Sequence, residues 1–378
     1  MNISRKEYIE NLGEITDWDI EVYRSLVSLE ISEEQAKRIV APPKVFESER
    51  VVMGLHWHPE IVPLDMIRER IYSMFPNIEK GLFIPTQHNE LMSFEGFTGV
   101  EVDCYSKEFN RKVQLLFHFK DEKVEKADVL KSMLLHTYRY RATQFYDLIN
   151  SIIDPVYDDR VNQAMEESGA EQELVDFVKA YTKKLKTMVE RYFSETPEVS
   201  IKNKLLPNYF TMLSEFYDSH FINRALLFIK EVKKLVKKYF VLDYFYETNE
   251  VIEEARHHGG GVIVPHPEQF WPVLLADYDV DGYEVWNPQS REFTEFLIQV
   301  VVKKNKSREY AERPLLVTMG DDTHMGEKLK KPENQKEEKA SREIGYQPAW
   351  DDIDIRKTLI LGNFDRERII EAYIDRIS

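Results

Sequence analysis

The stretch Val51–Glu60, VVMGLHWHPE, decides how the rest of the chain is read. An apolar run, Val51-Val52-Met53-Gly54-Leu55, ends abruptly in His56-Trp57-His58. Side chains alternate along a strand, so His56 and His58 fall on one face. Two imidazoles at the C-terminal tip of a buried strand can chelate one metal ion, and strand tips are where barrel enzymes keep their chemistry. A lone His-x-His is better explained by two half-buried histidines at a strand end. The pair gains weight because three later strand ends carry metal-type residues as well.

Upstream, residues 1–48 read as a helical arm. Ser4, Thr16 and Ser32 are cap candidates, Ser32 with Glu34-Gln35 resembles a capping box, and Pro42-Pro43 ends the region. Downstream the text alternates strands with helices or loops. Pro63–Phe75 has helical spacing. Gly81–Pro85 is a strand tipped by Thr86-Gln87-His88-Asn89. Gly99–Tyr105 carries Glu101, and Val113–Phe119 follows. This is the grammar of an α/β domain. Residues 121–247 change character. Strand signals vanish, and two apolar stripes run through Leu174–Phe193 and Phe221–Phe240 at helical spacing, the second with Lys230, Lys233, Lys234, Lys237 and Lys238 on its other face.

The α/β pattern then resumes. Thr248–His257 is a helix stopped by Gly259-Gly260-Gly261, and Gly261–Pro265 is a strand ending in His266-Pro267. Asp281–Asn287 carries Glu284, Phe293–Asn305 is helical, and Pro314–Met319 is a strand ending in Gly320-Asp321-Asp322-Thr323-His324. Gly326–Gly345, rich in Lys and Glu, reads as a mobile loop. Trp350–Gly362 reads as one more strand and Phe364–Ile377 as a closing helix. The expected organisation is an arm over 1–48, an α/β domain from 49–120 and 248–378, and a helical insertion over 121–247.

Bulk properties narrow the function. The 378 residues are enough for one barrel-sized domain with an insertion or for two domains. A formal charge of −16 argues against nucleic acid or an anionic membrane as partner. No stretch reaches the ~20 apolar residues of a membrane helix. The single cysteine, Cys104, excludes an intramolecular disulfide and a Cys-based zinc site. With a polar, acidic opening that does not read as a signal peptide, this points to the cytoplasm.

The polar residues at strand ends are His56, His58, His88, Glu101, His266, Asp322 and His324. This is a His/carboxylate set suited to divalent zinc, manganese or iron. A carboxylate such as Glu101 can bridge two ions, and a site with several ions can ionise a water and clamp both oxygens of a displacement at phosphorus.

In this set the chain resembles the polymerase-and-histidinol-phosphatase (PHP) family of metal-dependent phosphoesterases. The matching elements are His56-Trp57-His58 and Thr86-Gln87-His88, where Gln87 replaces an acid. Gly99-Val100-Glu101, Gly259 to Pro267, Gly282 to Asn287 and Gly320-Asp321-Asp322-Thr323-His324 match as well. The resemblance covers roughly residues 50–120 and 248–330. It implies a distorted (β/α)7 barrel with two or three divalent ions and hydrolysis of a phosphate ester by a metal-bound hydroxide. His56, His58, Glu101 and Asp322 would hold one ion. His88, His266 and His324 would complete the others with Glu101 shared, His88 and His324 serving as ligands or proton carriers. The pattern departs at Gln114, where the family often has a His and for which His118 is a substitute, and at Asp65, whose offset from His58 is not the usual one.

The implied partner is a small-molecule or nucleotide phosphate, and the helical insertion offers a surface for self-association. Two alternatives stay open at this level. One is an amidohydrolase that cleaves a C–N bond, which also opens with His-x-His but usually needs a bridging Lys. The other is a metal-depleted barrel that serves as a binding module.

Overall fold

The computed structural model describes residues 13–307 and 312–378. The described chain divides into two compact units, one of the residues up to Glu30 with Arg139–Val241, the other of Ile31–Tyr138 with Leu242–Ser378. The boundary thus falls inside the stretch read as a single arm.

Among the described residues of the helical unit every regular element is a helix. The longer ones include Asp17–Val27, Asp158–Ser168, Gln172–Arg191 and Ser219–Tyr239. Thr16 caps the first through a reciprocal box with Asp19, which satisfies two of the amide donors that every helix start leaves open. The expected cap at Ser4 lies outside the described residues. The apolar stripes form the core: Phe177, Tyr181, Leu185 and Met188 from one helix meet Phe228, Ile229 and Val232 from another. Burial of such stripes, more than intrinsic propensity, holds helices of this length in place.

The α/β unit holds ten strands among the described residues. They are β1 (Val51–Gly54), β2 (Trp57–His58), β3 (Lys80–Phe83), β4 (Met92–Phe94), β5 (Phe97–Ser106), β6 (Arg111–Lys120), β7 (Gly261–Val264), β8 (Gly282–Trp286), β9 (Leu316–Met319) and β10 (Thr323–His324). Strands β4 to β9 form one sheet in sequence order, while β1 pairs with β3 and β2 with β10, both in parallel. In the sheet, β5–β6 and β6–β7 are antiparallel, and β7–β8 and β8–β9 are parallel.

Short links join the three ladders. Thr86 N donates to Trp57 O at 2.8 Å, and Glu101 N donates to Gln87 O at 3.1 Å, so the chain after β3 lies between β2 and β5. Asp322 N donates to His56 O at 2.9 Å, which ties the chain after β9 to the start of β2. The architecture is therefore mixed α/β, with no continuous closed sheet among the described residues.

β1, β7 and β9 are buried almost throughout and carry Val, Ile, Leu and Met on both faces, as strands covered on both sides require. Helices follow Pro63 (Leu64–Met74), Glu247 (Thr248–His257) and Phe293 (Thr294–Lys304), and Arg366–Arg376 closes the chain. The cap of Thr248–His257 is Glu247, whose backbone N–H donates to Glu250 Oε2 at 2.9 Å.

Two expectations fail here. Trp350–Gly362 holds no strand; a short turn of helix at Pro348–Trp350 precedes the helix Ile353–Leu361. Gly326–Gly345 is not a loose loop. It contains the helices Met325–Leu329 and Glu337–Ala340, and it buries Lys328, Arg342 and Glu343. Its charges are paired inside the protein: Glu343 takes both arms of Arg70 at 2.6 and 2.8 Å, and Lys328 at 2.7 Å. A run rich in Lys and Glu looks solvated in a sequence because the partners, here Arg70, lie far away along the chain.

Candidate metal centre

The seven strand-end residues meet in one place. Three groups have donor atoms within 4.8 Å of one another: His56, Glu101 and His266; His56, His58 and Asp322; and His58, His88 and His324. They come from five separate stretches, and the strand links described above bring those stretches together. β2 brings His58, and the parallel bridge between His88 and Glu101 sets those two side by side. His266 follows β7, and β10 carries His324 alongside His58 in register.

Glu101 stands in the middle. Its Oε1 faces His266 Nε2 at 3.6 Å and His56 Nε2 at 3.9 Å, while its Oε2 faces His58 Nε2 at 3.8 Å and contacts His88 Nδ1. The two oxygens thus serve different sets of imidazoles. Asp322 gathers the others, its Oδ1 lying 3.3 Å from His324 Nε2, 3.4 Å from His58 Nε2 and 3.7 Å from His56 Nε2.

Burial makes these distances informative. His56, His58 and Glu101 are each 1% exposed. Yet His56 Nε2 and both ring nitrogens of His58 make no hydrogen bond. Buried polar atoms without partners are rare and costly. Donors ~2.1 Å from a shared tetrahedral ion stand ~3.4 Å apart, so the nitrogens and carboxylates hold the spacing of ligands rather than of hydrogen-bonded pairs. The donor set, imidazole and carboxylate without sulfur, fits divalent zinc, manganese or iron.

The histidines are held from behind. His56 Nδ1 donates to Glu284 Oε2 at 2.6 Å, and Glu284 Oε1 accepts from Asn287 Nδ2 at 3.0 Å and His266 N at 3.3 Å. Glu284 is therefore the carboxylate that fixes the His56 ring and leaves its Nε2 facing the centre. Gly320 makes this possible, since a Cβ there would overlap the Glu284 carboxylate. A second pair repeats the device. His324 Nδ1 meets Glu60 Oε1 at 3.2 Å, and a Cβ on Gly326 would overlap Glu60.

Electrostatics follow from this packing. Burial disfavours charge on His56, but the Glu284 carboxylate outweighs it and lifts the imidazole to about 10. Burial and the neighbouring His324 and His88 push His58 down to about 3. Burial opposes ionisation of Glu101 and Asp322, yet the surrounding histidines hold both well below the usual carboxylate range. Four non-glycine residues at these tips take left-handed backbone: Glu60 (φ 53°), Asn89 (φ 55°), His266 (φ 31°) and Asp322 (φ 48°). Such conformations are uncommon and cluster where a site demands them.

Other candidates fall away. His118 cannot substitute for a ligand at Gln114: its Nε2 donates to Leu55 O at 3.0 Å, and its Nδ1 accepts from the Tyr373 hydroxyl at 2.7 Å. Asp65 lies on an exposed helix turn and pairs with Arg68 at 2.6 Å. The acid near His58 is Glu60. Gln87 makes a backbone contact instead, its Oε1 accepting from Glu60 N at 3.2 Å. Sequence reading missed Glu60, Gln289 and Arg342, the last two of which reach Asp322 Oδ2 at 3.0 and 2.6 Å. Glu60, two residues beyond His58, was within reach of a spacing argument. Gln289 and Arg342 carry no local signal.

No family model and no curated protein matches this chain. Among solved structures it is similar to one from Bifidobacterium adolescentis described as a "putative metal-dependent phosphoesterase", at 16% identity over 86% of this chain and 98% of that one, with a TM-score of 0.40. That likeness is too loose to transfer a fold or an activity. No helix among the described residues is long and apolar enough to cross a membrane.

Proposed function

We propose that this chain is a metal-dependent phosphoesterase of the PHP type, acting on a small-molecule or nucleotide phosphate ester. The single observation that carries the reading is the open, buried nitrogens of His56 and His58 turned toward Glu101 and Asp322 at 3.4–3.9 Å. The shared position of Glu101 favours more than one ion. In this reading the seven segments 51–58, 80–88, 97–106, 111–120, 261–264, 282–286 and 316–324 are the members of a distorted barrel, joined where the links after β3 and β9 bridge the ladders.

Two or three divalent ions held there would acidify a water and neutralise charge on the phosphoryl oxygens. The chain's own residues do the rest. Glu284 holds His56, Glu60 holds His324, and Glu101 spans the two sides. The side chains of His88 and His324 are 31% and 13% exposed, against 1% for His56 and His58, so they stand where a proton can pass to a leaving group.

The test is metal analysis after stripping and reconstitution, followed by assay on a generic phosphate ester. At least one equivalent of zinc, manganese or iron together with metal-dependent phosphate release supports the reading. Less than one equivalent under every condition refutes it and favours a binding module. Bound metal without phosphate release moves the C–N hydrolase ahead.

A further inference from the structure

We infer that Arg342 is a positioning residue of this centre, and that the segment 326–345 is built to carry it. The inference rests on the metal reading above and concerns how Asp322 is made a one-oxygen ligand.

Asp322 divides its carboxylate. Oδ1 faces three imidazoles at 3.3–3.7 Å. Oδ2 points away and accepts from Arg342 Nη1 at 2.6 Å and Gln289 Nε2 at 3.0 Å. The same Nη1 also reaches the Asp322 backbone oxygen at 3.1 Å, so one nitrogen holds both the main chain and the side chain of a residue at φ 48°. A charge-assisted bond on Oδ2 stops the carboxylate from rotating that oxygen into the centre. Only Oδ1 is then presented to an ion.

Stability alone does not account for this arrangement. The Arg342 side chain is 1% exposed, and its Nε is buried without a hydrogen bond. Desolvating such a cation cancels much of its Coulomb gain, so a buried pair is a weak source of stability. The outer arm, Nη2, meets Glu338 Oε1 at 3.0 Å, and the Glu338 side chain is 68% exposed. Glu338 ties Arg342 to the segment's surface, and Asp322 ties it to the centre. The two ends can be cut separately.

The experiment uses the full chain, stripped of metal and titrated with Zn²⁺ by chelator competition, with thermal melts of each metal-free protein. Arg342→Gln is expected to weaken the tightest Zn²⁺ site roughly ten- to hundredfold, the usual effect of losing a ligand's outer partner. Arg342→Lys, which keeps the charge but not the fork, should fall between Arg342→Gln and wild type, and it carries the comparison if Arg342→Gln does not fold. Glu338→Gln should bind Zn²⁺ within about twofold of wild type.

Equal affinity in wild type and both Arg342 variants overturns the inference alone. So does an equal loss in Glu338→Gln and Arg342→Gln, since Arg342 would then only fasten the segment. Failure of wild type to bind any ion overturns the metal reading and the inference with it.

Discussion

The link between β1 and β2 and the body of β6 each bury a histidine, His56 and His118, and the two residues are opposites. His118 has both nitrogens occupied by protein, Leu55 O on one and Tyr373 on the other. His56 has one nitrogen held by Glu284 and the other open toward two carboxylates. Burial acts on both, and the carboxylates of Glu284, Asp322 and Glu101 outweigh it at His56, whereas the Leu55 carbonyl and Asp281 do not at His118. His118 is pushed down to about 3, while His56 rises to about 10. The difference teaches that burial does not mark a ligand. A ring nitrogen left open toward carboxylates is what sets His56 and His58 apart from His118.

Breaking the open side should have the largest effect. His56→Ala, Glu101→Ala and Asp322→Ala are each expected to reduce phosphate-ester hydrolysis to background, because without an ion water keeps a pKa near ~15.7 in place of ~7. Melts must accompany the assays, since a bound ion would also stabilise the fold. Wild-type turnover in all three variants would reject the site.

Breaking the held side of His56 should cost less. Glu284→Gln, and Gly320→Ala through the overlap of its new Cβ with Glu284, should each weaken metal binding roughly ten- to hundredfold. Agreement between the two would sharpen the assignment, because a Cβ on Gly320 would meet the Glu284 carboxylate first. A Gly320→Ala protein that folds and binds metal like wild type would contradict it.

The closed histidine should speak through stability. Its folded pKa is depressed, so between about 6.5 and about 3 the unfolded chain binds the extra proton. The stability tied to neutral His118 is complete above 6.5 and drains away as pH falls toward 3, by up to ~1.4 kcal/mol per pH unit. The wild-type minus His118→Gln stability difference, followed by denaturant melts from pH 7 to 4, should shrink across that window. A constant difference would remove His118 as the source.

The smallest effect is expected at His136, whose Nε2 donates to Tyr244 O at 2.8 Å. His136→Ala should leave turnover and metal content near wild type, and a large loss in either would mean that the chemistry extends beyond the strand tips.

Most of the alternation of strands and helices was legible in the sequence, because it rests on local rules. The spacing of His56 and His58 anticipated their shared site although the strand breaks at Leu55–His56, and glycine marked where β7 begins, at Gly261, and where β9 ends, before Gly320. Helical stripes announced the buried faces of Gln172–Arg191 and Ser219–Tyr239.

What only tertiary structure decided is how each residue spends its hydrogen bonds. Nothing around His118 reveals Tyr373, which is 255 positions away. Nothing in a Lys- and Glu-rich run reveals that Glu343 meets Arg70 or that Arg342 meets Asp322. A sequence displays donors and acceptors in chain order. Whether a buried nitrogen is satisfied or left open for an ion depends on partners that only folding brings within 3 Å, and that pairing separates a ligand from a core residue.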